Sequence, residues 1–313
     1  MNQIAVTGAG LMGHSLAIVF AVGGCDVTLY DVSAAALTAA RGLIASTLDV
    51  LCEAGLCTPQ RKTAILERSI VFTTDLEQVS GADLVIEAIP ENSDLKRELF
   101  SRLHRLLPAE TVIASNTSFL NIFELMPAER QKNAVIAHWY SPPHIIDLVE
   151  IVPGPETSPE TVTRLKTLLE SLGKKPVVLA RFLSGYIANR LQAALNLEVY
   201  SLLDSGYATA EEIDAAIIHG LALRMPLLGH LKKADFAGLQ LVQRTLANRT
   251  YTPPPVRGHS EVLDELVRLG HTGVMAGRGF YDYGGRPPEE LFRERDRKLL
   301  ALKKLLSEIG EIG

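Results

Sequence analysis

Cysteine is scarce in this chain: Cys25, Cys52 and Cys57 are the only three among 313 residues. An odd, sparse set without zinc-ligand spacing excludes a disulfide-stapled scaffold and a cysteine-built metal site. Three reduced structural thiols and no metal are expected. Long runs of one charge are missing too. A formal net charge of -5, spread along the sequence, offers little to a nucleic acid or an anionic membrane, and neither is expected as a partner. Met1-Asn2-Gln3 lacks the basic start of a signal peptide, and the apolar stretch from Leu11 to Gly24 carries His14 and is too short to span a bilayer. The cytoplasm is therefore the expected compartment. Internal repeats and low-complexity tracts are absent as well, whereas 47% hydrophobic residues and the length leave room for two domains with sizeable cores.

What is present begins at the first strand. The run Gln3-Ile4-Ala5-Val6-Thr7 leads into Gly8-Ala9-Gly10-Leu11-Met12-Gly13, which opens a helical segment, and Asp31 follows 18 residues after the last of these glycines. This is the layout of a dinucleotide site. Gly8 permits a tight turn, Gly10 removes a side chain that would block approach to a pyrophosphate, and Gly13 lets helix and strand meet closely. Asp31 ends a second strand, Asp26 to Tyr30, where a carboxylate can accept hydrogen bonds from both ribose hydroxyls. A 2′-phosphate would face that carboxylate with no positive charge from Val32 or Ser33, so NAD is expected rather than NADP.

Further β-rich runs fall at Ile70 to Thr73, Leu84 to Ile89, Val112 to Ser115, Val135 to His138, Leu148 to Val152 and Pro176 to Leu179. They alternate with helical stretches at Ser33 to Ala54, Thr58 to Arg68, Asp94 to Leu107 and Ser158 to Leu172. That rhythm predicts an α/β fold, a Rossmann-type doubly wound, mostly parallel sheet. Past Ala180 only helices are predicted: Ser184 to Ser205, Thr209 to His219, Gly238 to Asn248, Glu261 to Leu269 and Pro288 to Ile309. The expected division is a dinucleotide-binding domain over residues 1–181 and an all-helical domain over 182–313. The helix from Gly185 to Asp204 has so few charges that it needs burial on more than one face, either inside its own domain or against a second subunit.

A nicotinamide enzyme needs a group that exchanges the alcohol proton while hydride moves. His138, at the C-terminal end of the sixth predicted strand, lies on the sheet edge where doubly wound folds place ligands. Glu150 follows twelve residues later within the apolar Leu148-Val149-Glu150-Ile151-Val152. Burying that carboxylate alone would cost several kcal/mol, so it needs a partner, and on one imidazole nitrogen it would fix the tautomer. Ser115-Asn116-Thr117-Ser118, at the end of the fifth strand, supplies hydroxyl and amide groups suited to a substrate oxygen, although helix capping would explain one of them. Asn189, early in the helical domain, would look back toward the same edge, or is simply a tolerated residue of a first helical turn.

Six blocks in order are similar to the 3-hydroxyacyl-CoA dehydrogenase family: GAGLMG at Gly8, LVIEAIPENSDLKRELF at Leu84, ASNTSFL at Ala114, HWYSPPHIIDLVEIV at His138, GYIANR at Gly185 and GRGFYDY at Gly277. The resemblance implies His138 as proton acceptor, Glu150 as its orienting acid, and Ser118 and Asn189 on the substrate. It also implies Gly8, Gly10, Leu11, Met12, Gly13, Asp31, Glu91, Lys96 and Asn116 around NAD, and a homodimer built through the helical domain. The reaction implied is reversible oxidation of a 3-hydroxy to a 3-keto group.

The departures bear on substrate. Where the family usually reads His-Phe-Phe-Asn-Pro, Ser141 replaces an amide beside the His138 block. Acyl-CoA members carry lysines in the helical hairpin after the second strand, but here residues 42–60 contain no Lys, Arg or His, and only Arg61 and Lys62 at its edge are able to compensate. The stretch from Gly220 to His230 resembles instead the branch of L-gulonate 3-dehydrogenase and lambda-crystallin. Arg224 in it is suited to a substrate carboxylate, or serves as a surface helix cap. The expected substrate is a short-chain 3-hydroxyacyl-CoA, with a small free 3-hydroxy acid, or a catalytically idle crystallin-like NAD-binding protein, as the alternatives. The beta-hydroxyacid dehydrogenases, which use a lysine in the helical domain, fit less well because no lysine occurs between Lys175 and Lys232.

Overall fold

The computed structural model describes residues 1–249 and 251–310. The chain forms two compact units, Met1–Asn189 and Arg190–Gly313. The first holds one eight-stranded sheet in the order β3-β2-β1-β4-β5-β6-β7-β8. Its strands are β1 (Gln3–Thr7), β2 (Asp26–Tyr30), β3 (Ile70–Thr73), β4 (Leu84–Glu87), β5 (Val112–Ser115), β6 (Ala134–Trp139), β7 (Leu148–Pro153) and β8 (Lys175–Val178). All neighbours pair in parallel except β6 and β7. The predicted Rossmann-type sheet is therefore borne out. Strand order reverses between β1 and β4, and a crevice opens at the carboxyl ends of those two strands, the usual ligand position of such sheets.

The central strands carry no polar/apolar alternation because helices cover both faces. Every residue of β4, β5 and β6 is buried, as expected of a sheet that meets no water on either side. Helix α1 (Gly13–Val22) is apolar apart from His14 and Ser15 and buries all but its last residue, and each large apolar side chain it removes from water contributes roughly 1.5–3 kcal/mol. Helix α2 (Ala34–Glu53) starts where the Ser33 hydroxyl accepts the Ala36 N–H at 3.2 Å. It is long and apolar enough to cross a membrane by composition, yet here Leu37, Ala40, Ile44, Leu48 and Leu51 form a buried stripe at helical spacing. After α3 (Pro59–Ala64) the predicted helix continues only as a wider turn over Ile65–Ser69. Helix α4 (Ser93–Leu106), capped by Asn92, buries Leu99, Phe100 and Leu103 and, on the same face, Lys96. Helix α5 (Pro159–Ser171) begins at Ser158 with Pro159 in its first turn.

Between β8 and the next helix the structure departs from the predicted Ser184 to Ser205 helix. Gly185 and Tyr186 take left-handed φ values of 77° and 49°, and α6 begins only at Ala188 and runs to Asp204. Glycine adopts that conformation freely, but tyrosine pays for it. The compensation comes from the Tyr186 hydroxyl, which donates to the Thr117 carbonyl at 2.9 Å while the ring is completely buried.

The second unit is helical, with isolated bridges rather than strands among its described residues. Besides the predicted helices, its described residues include the short α-helices Met225–Leu228 and Leu231–Ala237, separated by Gly229 and His230. No residue of α6 is buried, and Leu191 remains 68% exposed. Burial inside its own unit therefore does not account for the apolar character of this helix.

Candidate active site

The glycine turn after β1 is built by sterics. The N–H of Gly8 donates to the Tyr30 carbonyl at 2.8 Å, and a Cβ on Gly8 would lie 2.6 Å from the Ala88 carbonyl oxygen. A Cβ on Gly13 would fall 1.7 Å from the carbonyl oxygen of Gly8 and 3.6 Å from Val6, so the helix is pulled against the turn as well as the strand. Gly10 differs, with nothing within 4 Å of its virtual Cβ. Its missing side chain keeps space open rather than packing against the protein. Asp31 Oδ2 accepts the Ala9 N–H at 2.7 Å, and Oδ1 accepts that of Ser33 at 2.9 Å. One carboxylate thus ties the glycine turn to the end of β2.

Above this turn lies a groove of about 790 Å³ lined by Gly10, Met12, Asp31, Glu91, Asn116 and Ser118, among others. Its volume is in the range of cofactor pockets. Leu11, 75% exposed, also lines it. The open face at Gly10, the helix N-terminus behind it and the acid at Asp31 fit a dinucleotide with a free 2′-hydroxyl.

The far wall of the groove stands on a buried ion pair. Lys96 and Glu87 are 1% and 0% exposed, and Nζ lies 2.6 Å from Glu87 Oε1. Glu87 also accepts the Ser115 hydroxyl through Oε2 and the Ile89 N–H at 2.9 Å. Burial pushes the Glu87 carboxyl upward, and the Lys96 ammonium works against that. Lys96 Nζ is also 3.5 Å from Glu91. Glu91 Oε1 in turn accepts the Thr117 hydroxyl at 2.6 Å and the N–H groups of Ser118, Phe119 and Leu120. The loop that presents Ser118 therefore hangs from one carboxylate.

His138 and Glu150 sit on β6 and β7, directly opposite in an antiparallel register. Nδ1 of His138 is 2.9 Å from Glu150 Oε2, and the residues are 4% and 1% exposed. The other oxygen, Oε1, accepts the N–H groups of Ile187 and Ala188 at 2.9 and 3.0 Å, at the N-terminus of α6, where backbone N–H groups favour negative charge. Burial alone would raise the Glu150 carboxyl. The His138 ring and the two backbone donors outweigh burial and hold it below the ordinary carboxylate range. On the opposite side of the ring, Nε2 is 3.4 Å from both Ser118 Oγ and Asn189 Nδ2. Such a set can remove a proton at Nε2, keep the resulting imidazolium beside a carboxylate, and hold an oxygen between a hydroxyl and an amide.

Comparison with known proteins gives the family. Residues 3–182 match the family model described as 3-hydroxyacyl-CoA dehydrogenase, NAD binding domain, and residues 185–283 match the C-terminal domain of the same family. This chain belongs to the 3-hydroxyacyl-CoA dehydrogenase family. Its first domain binds NAD. The chain is 31% identical to a 5-formyl-3-hydroxy-2-methylpyridine 4-carboxylate 5-dehydrogenase from Mesorhizobium japonicum, over 98% of each chain. It is 32% identical to a 3-hydroxybutyryl-CoA dehydrogenase from Mycobacterium tuberculosis, over 90% of this chain and 99% of that one. A solved structure of a 5-formyl-3-hydroxy-2-methylpyridine 4-carboxylic acid 5-dehydrogenase, described as an NAD+-dependent dismutase, superposes with a TM-score of 0.85 at 30% identity, over 98% of this chain and 99% of that one.

Within this family member, the fold brings His138, Glu150, Ser118 and Asn189 into one cluster, and Gly8, Gly10, Leu11, Met12, Asp31, Glu91 and Asn116 around one groove. Gly13 lies beneath the turn instead of lining the groove, and Lys96 is sealed behind the wall. Asn116 Oδ1 accepts the Trp139 N–H at 2.9 Å, coupling the groove to β6. Ser141 is exposed beside the cis peptide bond to Pro142. Arg224 belongs to the second unit, exposed, with its carbonyl accepting the N–H groups of Leu227 and Leu228. Sequence reasoning missed Glu87, Tyr140 and Tyr186. Glu87 was detectable by the argument used for Glu150, a carboxylate in an otherwise apolar strand. Tyr186 carried no such signal, because its role comes from a left-handed turn.

Proposed function

We propose that this protein oxidises the secondary alcohol of a small free hydroxy acid, with His138 as general base and NAD as the oxidant. Membership of the family makes it an oxidoreductase acting on a hydroxyl group. The His138–Glu150 contact at 2.9 Å carries the mechanistic reading. Bound in the groove between Gly10 and Asn116, NAD supplies a hydride acceptor. Ser118 and Asn189 hold the hydroxyl oxygen, and His138 Nε2 takes its proton. Glu150 keeps Nδ1 protonated and offsets the positive charge that forms on the ring.

The preference for a free acid rests on the two cations that would otherwise serve CoA phosphates. Lys62 is ion-paired with Asp49, and Arg61 donates to the Ala21 carbonyl at 2.9 Å. The carboxylate of Asp49 offsets the charge of Lys62, and the contacts of Arg61 with the Ala21 carbonyl and of Arg41 with the Phe72 ring tie those side chains to the protein, so the hairpin of α2 and α3 is a poor match for a polyphosphate. Arg224 is the candidate for the substrate carboxylate. The competing short-chain 3-hydroxyacyl-CoA reading draws support from the family and from the mycobacterial relative. A paired and buried His138 and Glu150 speak against an idle protein. The uncovered apolar side of α6 supports a homodimer built through the second unit.

NADH absorbance with matched pairs separates these readings: 3-hydroxybutyrate against 3-hydroxybutyryl-CoA, acetoacetate against acetoacetyl-CoA, and L-gulonate as a further free acid. The expected result is a kcat/KM at least roughly 10-fold higher for free acids, the loss a polyphosphate without cationic partners would show. A preference for the thioesters returns the assignment to acyl-CoA. NADH binding without turnover of any of them favours the idle reading.

A further inference from the structure

Asn189 has two chemically opposite ends, an amide oxygen that accepts and an amide nitrogen that donates. The protonation state favoured at His138 depends on which end faces it. The Tyr140 hydroxyl donates to Asn189 Oδ1 at 2.8 Å, which leaves Nδ2 toward His138 Nε2, 3.4 Å away. Turning the amide round would deprive the half-buried phenol proton of its acceptor, and leaving a donor unmade away from water is unfavourable. We infer that Tyr140 is a positioning residue: its hydroxyl locks the Asn189 amide with the nitrogen facing His138, so that the pocket accommodates the proton-free imidazole. This inference rests on the reading of His138 as the base.

The groups around the ring make that lock consequential. Glu150, on the neighbouring strand, faces Nδ1 with a negative charge and a hydrogen-bond acceptor. Tyr186 packs against the ring with centroids 4.9 Å apart, and Tyr140 meets it edge-on at 5.4 Å. Burial raises both phenols, with nearby carboxylates adding to the effect, so both are neutral at working pH. Ser118 contributes a hydroxyl able to give or accept. Asn189 is therefore the neighbour whose orientation opposes Glu150. An N–H directed at Nε2 suits a lone pair and repels an imidazolium N–H, whereas a carbonyl there would accept from it. Tyr140 works through Asn189 to keep the base ready to receive a proton.

The test is a 15N NMR titration of the His138 ring in the full chain saturated with NADH, which needs no substrate. Tyr140→Phe keeps the ring contact with His138 and removes only the hydroxyl. Its expected effect is an upward move of the His138 titration midpoint by roughly half a pH unit or more, because the freed amide turns its oxygen to the imidazolium. In an Asn189→Ala background the same change is expected to move nothing. An unmoved midpoint in Tyr140→Phe overturns the inference. So does an equal shift in the Asn189→Ala background, which would mean that the phenol acts on the ring directly. Failure of the general-base reading has a different signature, normal turnover in His138→Gln, and the titration reports on Tyr140 whichever way that turns out.

Discussion

Glu150 faces His138 across the antiparallel pairing of β6 and β7, and its two oxygens divide the labour: one meets the imidazole, the other closes the N-terminus of α6. The carboxylate therefore links the order of the helix start to the orientation of the ring. Removing either partner has consequences that differ in kind.

His138→Gln removes the proposed proton acceptor but leaves the groove around Gly10 and Asp31 untouched. Turnover is expected to fall by roughly 100-fold or more with NADH affinity nearly unchanged. Steady-state rates together with NADH fluorescence titration measure both, and near-normal turnover would refute the assignment.

Glu150→Gln makes stability depend less on acid. A carboxyl held below its ordinary range in the folded chain adds stability that is fully present above the unfolded pKa, about 4.3, and is lost as pH falls through the folded value. The difference in Tm between parent and variant is expected to be largest at neutral pH and to shrink below about pH 4. Melting curves across pH 3 to 7 check it, and a constant difference would mean that the charge is not what Glu150 contributes.

Asp31→Ser tests the proposed reading of the ribose at a residue that also ties down the glycine turn. Losing the carboxylate removes the repulsion of a 2′-phosphate and also frees the Ala9 N–H that it holds at 2.7 Å. NAD affinity is expected to drop, and the preference over NADP to erode by roughly 10-fold or more. Titration with NADH and NADPH in parallel gives the ratio. An unchanged ratio would assign ribose recognition to another residue.

Lys96→Met strands the Glu87 carboxylate in a site that water does not reach. The expected cost is about 3–5 kcal/mol, with most of it recovered in the Glu87→Gln/Lys96→Met double variant. Denaturant unfolding of the parent, both single variants and the double variant closes the cycle, and additive losses would show that the pair is not coupled.

Much of the first unit was legible locally. Strands Gln3–Thr7, Asp26–Tyr30, Ile70–Thr73 and Val112–Ser115 lie where the apolar runs predict them, because each is short, mostly apolar and bounded by turn residues. Ser33 and Ser158 mark helix starts by capping chemistry that needs no distant partner. The sequence predicts helix at Gly185 and Tyr186, since nothing nearby reveals that Thr117 and Glu150 compensate for leaving the helical conformation. The resemblance puts Lys96 beside NAD, whereas its packing against Glu87, on another element, seals both side chains from water.

The order of residues alone determined the glycine turn, the acid at the end of the second strand, and the presence of one imidazole and one carboxylate in apolar strands, because each depends on neighbours within a few positions. The tertiary structure decided that β6 and β7 run antiparallel in a register that sets His138 opposite Glu150, a pairing that a one-residue slip would send to opposite faces of the sheet. It also decided which end of Asn189 faces the ring and that Arg61 and Lys62 are already engaged. Those outcomes depend on groups far apart in the chain, whose meeting no local pattern encodes.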